Sequence, residues 1–331
     1  MRAKILDVRL GVSDEALREA ATVLREGGLV VFPTETVYGL GANALDGKAV
    51  LRIFEAKGRP ADNPLIVHVA EASGAKRVAF VSKLGHLLME RFWPGPLTLV
   101  MPACPVVPTS VTAGLSTVAV RMPAQPVALE LIRLAGVPVA APSANLSGRP
   151  SPTDARAVEE DLGDRVEMIL DGGPTQVGVE STVLDITGEK AALLRPGGVS
   201  IEALEEFLGY RPILPGAEEA VDRRSPGTRY RHYAPRVPLF LREDESVWEK
   251  VETWDPSQRA YVGIRSPGAS FAFVHLFPDV ESYARGLFSA LRELERSGAC
   301  VIVADWPGEA RVGLALRDRL KRASGGSYMP E

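Results

Sequence analysis

Short runs of β-branched and aliphatic residues alternate along this chain with stretches whose apolar positions recur every three or four residues. That rhythm predicts alternating strands and helices, an α/β architecture rather than a sandwich or a bundle. Strands are expected near 4–8, 29–32, 65–69, 98–101, 118–121, 137–141, 168–171, 181–185 and 192–195. The first helix is bracketed by its own chemistry: Ser13 can cap its orphan amides, Asp14 and Glu15 occupy its first turn, and Gly27-Gly28 ends it. A second helix over 47–57 stops at Gly58, and a third is expected near 201–208.

The pattern lapses between Tyr210 and Pro238, a proline-rich stretch that carries the basic-aromatic run Arg229-Tyr230-Arg231-His232-Tyr233. A loop of that length is a functional segment or a disordered tether. Beyond it the alternation resumes, with strands near 238–241, 260–264, 271–276 and 300–304 and helices near 280–296 and 310–323, the makings of a smaller Rossmann-like layer. The chain therefore divides into a first unit over 1–208, a linker over 209–236 and a second unit over 237–331, with no internal repeat.

At 331 residues, 46% of them hydrophobic, the chain can fill two cores of ordinary size. A net charge of −4 argues against a surface built as a whole to coat nucleic acid or an anionic membrane, so any basic site is local. Residues 1–15 read as neither a signal peptide nor a transit sequence, and the weakly polar run 97–108 is interrupted by Pro102, Pro105 and Pro108 before it could span a bilayer. A cytoplasmic protein is expected. Cys104 and Cys300 have neither metal-type spacing nor a framework of bridges and read as small buried hydrophobes.

Common phosphate and hydrolase motifs fail on detail. The stretch from Gly41 to Gly47-Lys48-Ala49 has one residue too many for a P-loop, and Ala49 replaces the magnesium-binding hydroxyl. Gly39-Leu40-Gly41-Ala42-Asn43-Ala44 matches a dinucleotide fingerprint but is separated by six residues from the strand whose end it should occupy. Ser143 and Ser181 lack a nucleophile elbow, and the four histidines offer no triad spacing. What remains is a concentration of polar residues in loops that follow strands, where open α/β sheets bind ligands. Lys57 and Arg59 flank a turn in a pattern suited to polyphosphate, and Arg121 and Arg195 end apolar strands, where an unpaired cation is costly. Arg121 is therefore expected to meet an anion. Several cations at one sheet edge of an acidic protein imply a polyanionic ligand, with a nucleoside triphosphate the natural candidate.

The strings PTETVYGLG (33–41), KGRPADNPLIVHV (57–69), FWPGPLT (92–98), VAVRMP (118–123), APSANLSG (141–148), GVESTV (178–183) and LRPGG (194–198) resemble, in order, the threonylcarbamoyl-AMP synthases. The linker string SPGTRYRHYAP (225–235) is similar to that of the family's long form, with Thr228 where methionine is common. The resemblance implies a YrdC-like twisted open sheet domain with a concave basic site, followed by the smaller Rossmann-like domain. It also implies a reaction. L-Threonine and bicarbonate give N-carboxythreonine, which attacks the α-phosphate of ATP, releasing pyrophosphate; a threonylcarbamoyl transferase complex then modifies tRNA adenosine.

Carried over by motif, Thr36, His68, Arg121 and Ser181 would hold threonine. Lys57, Arg59, Asn63, Thr117, Ser143, Asn145, Ser151 and Arg195 would hold ATP, with Tyr233 reaching in from the linker. Lys57 and Arg59 are expected on a surface turn facing the phosphates as the catalytic cations, with magnesium arriving on ATP and no metal ligands assigned to the protein. An arm over 225–235, carrying Arg229, Arg231, His232 and Tyr233, would act as a lid. The rival reading is an RNA-binding module without its own chemistry; weak tRNA binding is compatible with either.

Overall fold

The computed structural model describes residues 2–9, 14–214, 232–267 and 270–325. Strands β1 (Lys4–Asp7), β2 (Val30–Phe32), β3 (Gly39–Asn43), β4 (Ile66–His68), β5 (Leu97–Pro102), β6 (Thr117–Arg121), β7 (Val139–Ala140), β8 (Met168–Asp171), β9 (Thr182–Asp185) and β10 (Ala192–Arg195) form a mixed ten-stranded sheet in the order β1-β8-β2-β3-β7-β4-β6-β5-β9-β10. Helices α1 (Asp14–Arg25), α2 (Gly47–Lys57), α3 (Lys83–Phe92), α4 (Thr109–Thr112), α5 (Pro126–Ala135), α6 (Ala155–Leu162) and α7 (Ile201–Leu208) belong to the same unit. Successive residues of β2 enter opposite cores, as the pleat requires: Val30 and Phe32 pack with Leu17, Leu24 and Leu131 of α1 and α5, while Val31 packs with Ile53, Leu88 and Val158 of α2, α3 and α6.

The second sheet is all parallel, β11 (Leu239–Arg242), β12 (Arg259–Gly263), β13 (Phe273–Leu276) and β14 (Val301–Asp305) in the order β11-β14-β12-β13, with α8 (Val247–Val251), α9 (Val280–Arg296) and α10 (Gly313–Ala323). Val37 and Val179 of the first unit share one apolar core with Leu287, Phe288 and Tyr233. Arg292 of α9 crosses to Asp161 at 2.6 Å, both side chains 2% exposed, and donates to the Pro150 carbonyl at 2.6 Å. Gly178 has φ +78°, and a Cβ there would lie 2.2 Å from the Arg285 carbonyl oxygen, so only glycine lets the backbones of the two units meet.

Three expectations change. The stretch 39–43, where no strand was expected, is strand β3; a Cβ at Gly41 would lie 2.7 Å from Phe32 and 2.8 Å from Val139, so the glycine is a packing requirement between neighbouring strands. Cys300 is exposed and Cys104 half-buried, because both lie just outside strands rather than within them. Lys57 is buried, as detailed below. Ser13 and residues 215–231, including Arg229 and Arg231, lie outside the described residues. No helix among the described residues is long and apolar enough to cross a membrane.

Candidate active site

A partly open cleft, about 650 Å³ of empty space counting the solvent at its mouth, lies against the middle of the large sheet, where parallel strands β4 and β6 place His68 and Arg121 side by side in register. Its lining includes Pro64 and Leu65, just before β4, and Ile66 and His68 of β4 itself.

At the His68 end, Arg121 donates from Nη1 to Thr36 Oγ1 at 3.0 Å and from Nε to the Gly95 carbonyl at 3.2 Å, while Nη2 lies 2.6 Å from Glu35 Oε1. The anion expected for Arg121 is therefore Glu35, whose other oxygen accepts from the Ala124 amide at 3.1 Å. Thr34 closes the turn: its Oγ1 lies 2.8 Å from Thr36 Oγ1, donates to the Val37 carbonyl and accepts from two backbone amides. Ser181 Oγ meets Thr98 Oγ1 at 2.7 Å and accepts from Arg195 Nη2 at 3.2 Å. His68 is 4% exposed and its Nδ1 has no hydrogen-bond partner among the described residues. Burial, reinforced by the Arg121 charge, pushes its pKa down to about 3 and keeps the imidazole neutral.

At the other end, the left-handed Gly58 stops α2 and turns Arg59 into the cleft, where Nη2 donates to the carbonyls of Asn63 and Pro64, both at 3.3 Å. Burial lowers the Arg59 pKa to about 10, with the Arg195 charge adding to that shift. Arg195 reaches the Ser181 carbonyl at 2.9 Å. Ser143 donates to Asn145 Oδ1 at 2.6 Å, and Asn145 Nδ2 holds the carbonyls of Leu146 and Arg149, forming a tightly tied loop. The Ala234 amide donates to the Gly148 carbonyl on that loop at 2.8 Å, which brings His232 and Tyr233 onto the cleft. Tyr233 stacks on Phe288 of α9, ring centroids 5.3 Å apart.

The cleft thus brings together Thr36, Arg59, His68, Arg121, Ser143, Asn145, Ser181, Arg195 and Tyr233. The other expected site residues do not line it. Lys57 is 3% exposed, and its ammonium donates to the carbonyls of Ser143, at 2.6 Å, and Asn145, so it braces the loop from inside instead of occupying a surface turn. Burial and the Arg59 charge hold its pKa well below the ordinary lysine value. Ser151 is fully buried and donates to Glu180 Oε1 at 2.5 Å; Asn63 is buried just before β4, and Thr117 begins β6 at its end away from Arg121. Sequence reasoning gave Glu35 and Glu180 no role, although both lie inside the quoted strings, and it missed Arg319 of α10, which meets Glu180 Oε2 at 2.6 Å. A signal for Arg319 was present: it shares the apolar stripe of its helix with Leu316, Leu320 and Ala323, where a lone cation would not be tolerated.

Fold and site together define an α/β protein of two units with one polar cleft that carries three arginines. The family model described as "Telomere recombination" (Sua5, YciO and YrdC) matches residues 22–197, and the model "Threonylcarbamoyl-AMP synthase, C-terminal domain" matches 199–325. The chain is 48% identical to the threonylcarbamoyl-AMP synthase of Pyrococcus abyssi, with 97% of each chain covered, and 44% identical to that of Bacillus subtilis, covering 96% of this chain and 95% of the relative. The crystal structure of P. abyssi Sua5 complexed with L-threonine is similar over 98% of both chains, with 47% identity and a TM-score of 0.91. The chain belongs to the threonylcarbamoyl-AMP synthase family.

Proposed function

We propose that the chain converts L-threonine, bicarbonate and ATP into threonylcarbamoyl-AMP and pyrophosphate. The observation that carries this reading is the division of one cleft into two chemically different ends. Arg121, Thr36, Ser181 and the neutral His68 offer donors and acceptors matched to an amino acid's carboxylate, hydroxyl and amine. Arg59 and Arg195, with Ser143, Asn145 and Tyr233, offer charge and hydrogen bonds to a nucleotide. Lys57 and Ser151 act from behind the wall, Lys57 by fixing the carbonyls of Ser143 and Asn145 and Ser151 by fixing Glu180. Asn63 and Thr117, which do not line the cleft, are assigned to ATP by their motifs alone.

In the reaction, a carboxylate oxygen of N-carboxythreonine attacks the α-phosphorus of ATP, the bond from that phosphorus to the bridging oxygen breaks, and pyrophosphate leaves. No side chain has to take a proton in this step, because the carbamate carboxylate is already anionic. Positioning the two reactants and neutralising phosphate charge supply the catalysis. The residues present do not fit a resident magnesium: Glu35 and Glu180 are each tied to an arginine, and no group of His, Cys, Asp and Glu among the described residues could hold a metal. Magnesium would come with ATP, coordinated by its phosphates. The product would pass in the cytoplasm to a threonylcarbamoyl transferase complex acting on tRNA, with weak tRNA contact by this chain.

The test is pyrophosphate release with each substrate withheld in turn. Release should need threonine and bicarbonate together, and mass spectrometry should find threonylcarbamoyl-AMP. Equal release without threonine, or salt-sensitive RNA affinity as the sole activity, would replace this reading with a nucleotidase or an RNA-binding module.

A further inference from the structure

Among the described residues, Glu180 is the one carboxylate lining a cleft otherwise edged by arginines, and it is held from behind the wall. Ser151 donates to Oε1 at 2.5 Å, and Arg319 donates from Nε to Oε2 at 2.6 Å. Arg319 comes from α10, the last helix of the second unit among the described residues, and its side chain is 0% exposed. Its guanidinium carbon lies 5.4 Å from the centroid of the Tyr233 ring, and Asp318 accepts from its Nη1. A single side chain of the second unit therefore touches both the wall and the roof of a cleft built on the first.

We propose that Arg319 is a positioning residue for the nucleotide end of the cleft: it neutralises Glu180 and pins Tyr233, so that the second unit sets the charge of the first unit's site. This inference rests on the assignment of that end to ATP. A lone carboxylate on the wall would repel the phosphates of the nucleotide, and the enclosed surroundings would strengthen that repulsion. Clamped by Arg319, while Arg322 answers Asp318 at 3.0 Å, the same carboxylate still accepts a hydrogen bond from Ser151 and its charge toward the ligand is offset.

The experiment compares full-length wild type with Arg319→Met, Arg319→Lys, Glu180→Gln and the double variant Glu180→Gln/Arg319→Met. ATP affinity is measured by calorimetry without threonine, threonine affinity without ATP, and folding by thermal unfolding. Arg319→Met should weaken ATP about tenfold or more, because it leaves a buried charge without its partner, while threonine affinity stays within about twofold. Arg319→Lys, which keeps the charge without the fork or the ring contact, should fall between. The double variant should regain most of the lost ATP affinity, which a purely structural pin would not allow, since removing its partner would restore nothing. Should Arg319→Met fail to fold, the double variant is read against Glu180→Gln, and affinities equal within about threefold are expected. ATP affinity unchanged in Arg319→Met, a double variant no tighter than the single one, or a double variant about tenfold weaker than Glu180→Gln each overturn the inference. Absence of threonine-dependent pyrophosphate release in the wild type would overturn the functional reading instead, and the effect of Arg319 on ATP binding would stand apart from it.

Discussion

The two sheets of this protein both gather charged residues at the ends of their strands, and they use them in opposite ways. In the small sheet, Asp305 ends β14 fully buried and is held by the amides of Ile264 and Arg265 and by the Arg265 guanidinium; Arg242 ends β11 and is met by Glu245, the Tyr261 hydroxyl and the Ser266 carbonyl. Charge there is answered by charge within the unit. In the large sheet, Arg121 has a carboxylate partner, but Arg59 donates to backbone carbonyls and faces the cleft. Carbonyls satisfy hydrogen bonds without cancelling charge, so among the described residues Arg59 has no such close carboxylate clasp, although Asp62 is near enough to favour its charged form. Strand ends make a structural clasp in the small unit, whereas in the large unit the helix end that carries Arg59 opens on the cleft.

The largest effect is expected where the two uses coincide. Arg121→Ala removes the proposed threonine carboxylate contact and leaves Glu35 buried without a partner, so stability should fall by about 3–5 kcal/mol and kcat/KM by about a hundredfold or more. Denaturant unfolding and pyrophosphate release check the two halves, and adding Glu35→Gln should restore stability but not activity. Arg265→Ala strips the same kind of partner from Asp305 in the small sheet. A loss of about 1–3 kcal/mol of stability with unchanged kinetics is expected there, and a kinetic defect of comparable size would erase the contrast between the sheets.

Lys57→Met tests the brace behind the cleft. Two loop carbonyls lose a charged donor, so stability should fall by about 1–3 kcal/mol together with ATP affinity. Lost activity at full stability would put the ammonium back on the phosphates. The pH profile gives a smaller effect. His68 and His232 are held neutral by burial, with pKa values of about 3 against 6.5 when unfolded. Between those values the unfolded chain binds more protons, so stability is fully present above about pH 6.5 and declines as pH falls below it. At pH 5 each histidine should account for about 2 kcal/mol of lost stability, and His68→Gln should flatten the acid limb measured by urea midpoints.

The fold was legible in the sequence wherever an element carries its own period. Most expected strands, and helices such as 47–57, 201–208 and 280–296, coincide with observed elements because their apolar spacing and caps are local. Strand β3 was not, since its glycines mark a turn by composition and serve packing by geometry. Nor was the strand order, which depends on pairings such as β5 with β9 between residues far apart in the chain. The candidate site followed the same divide. Arg121 was legible as a buried cation needing an anion, but the choice of Glu35 is made by the turn that Thr34 closes. Arg319 and Glu180 meet across |i−j|=139, a contact that only the docking of the second unit creates.

The central claim is that one cleft has two separable ends, the second served by the Arg59 charge. Calorimetric titration of Arg59→Ala with ATP and, separately, with L-threonine tests it most directly. ATP affinity should fall by about 1.5–3 kcal/mol, roughly ten- to a hundredfold, while threonine affinity and thermal stability stay at their wild-type values. ATP affinity unchanged, or ATP and threonine affinities falling together, would contradict the division of the cleft.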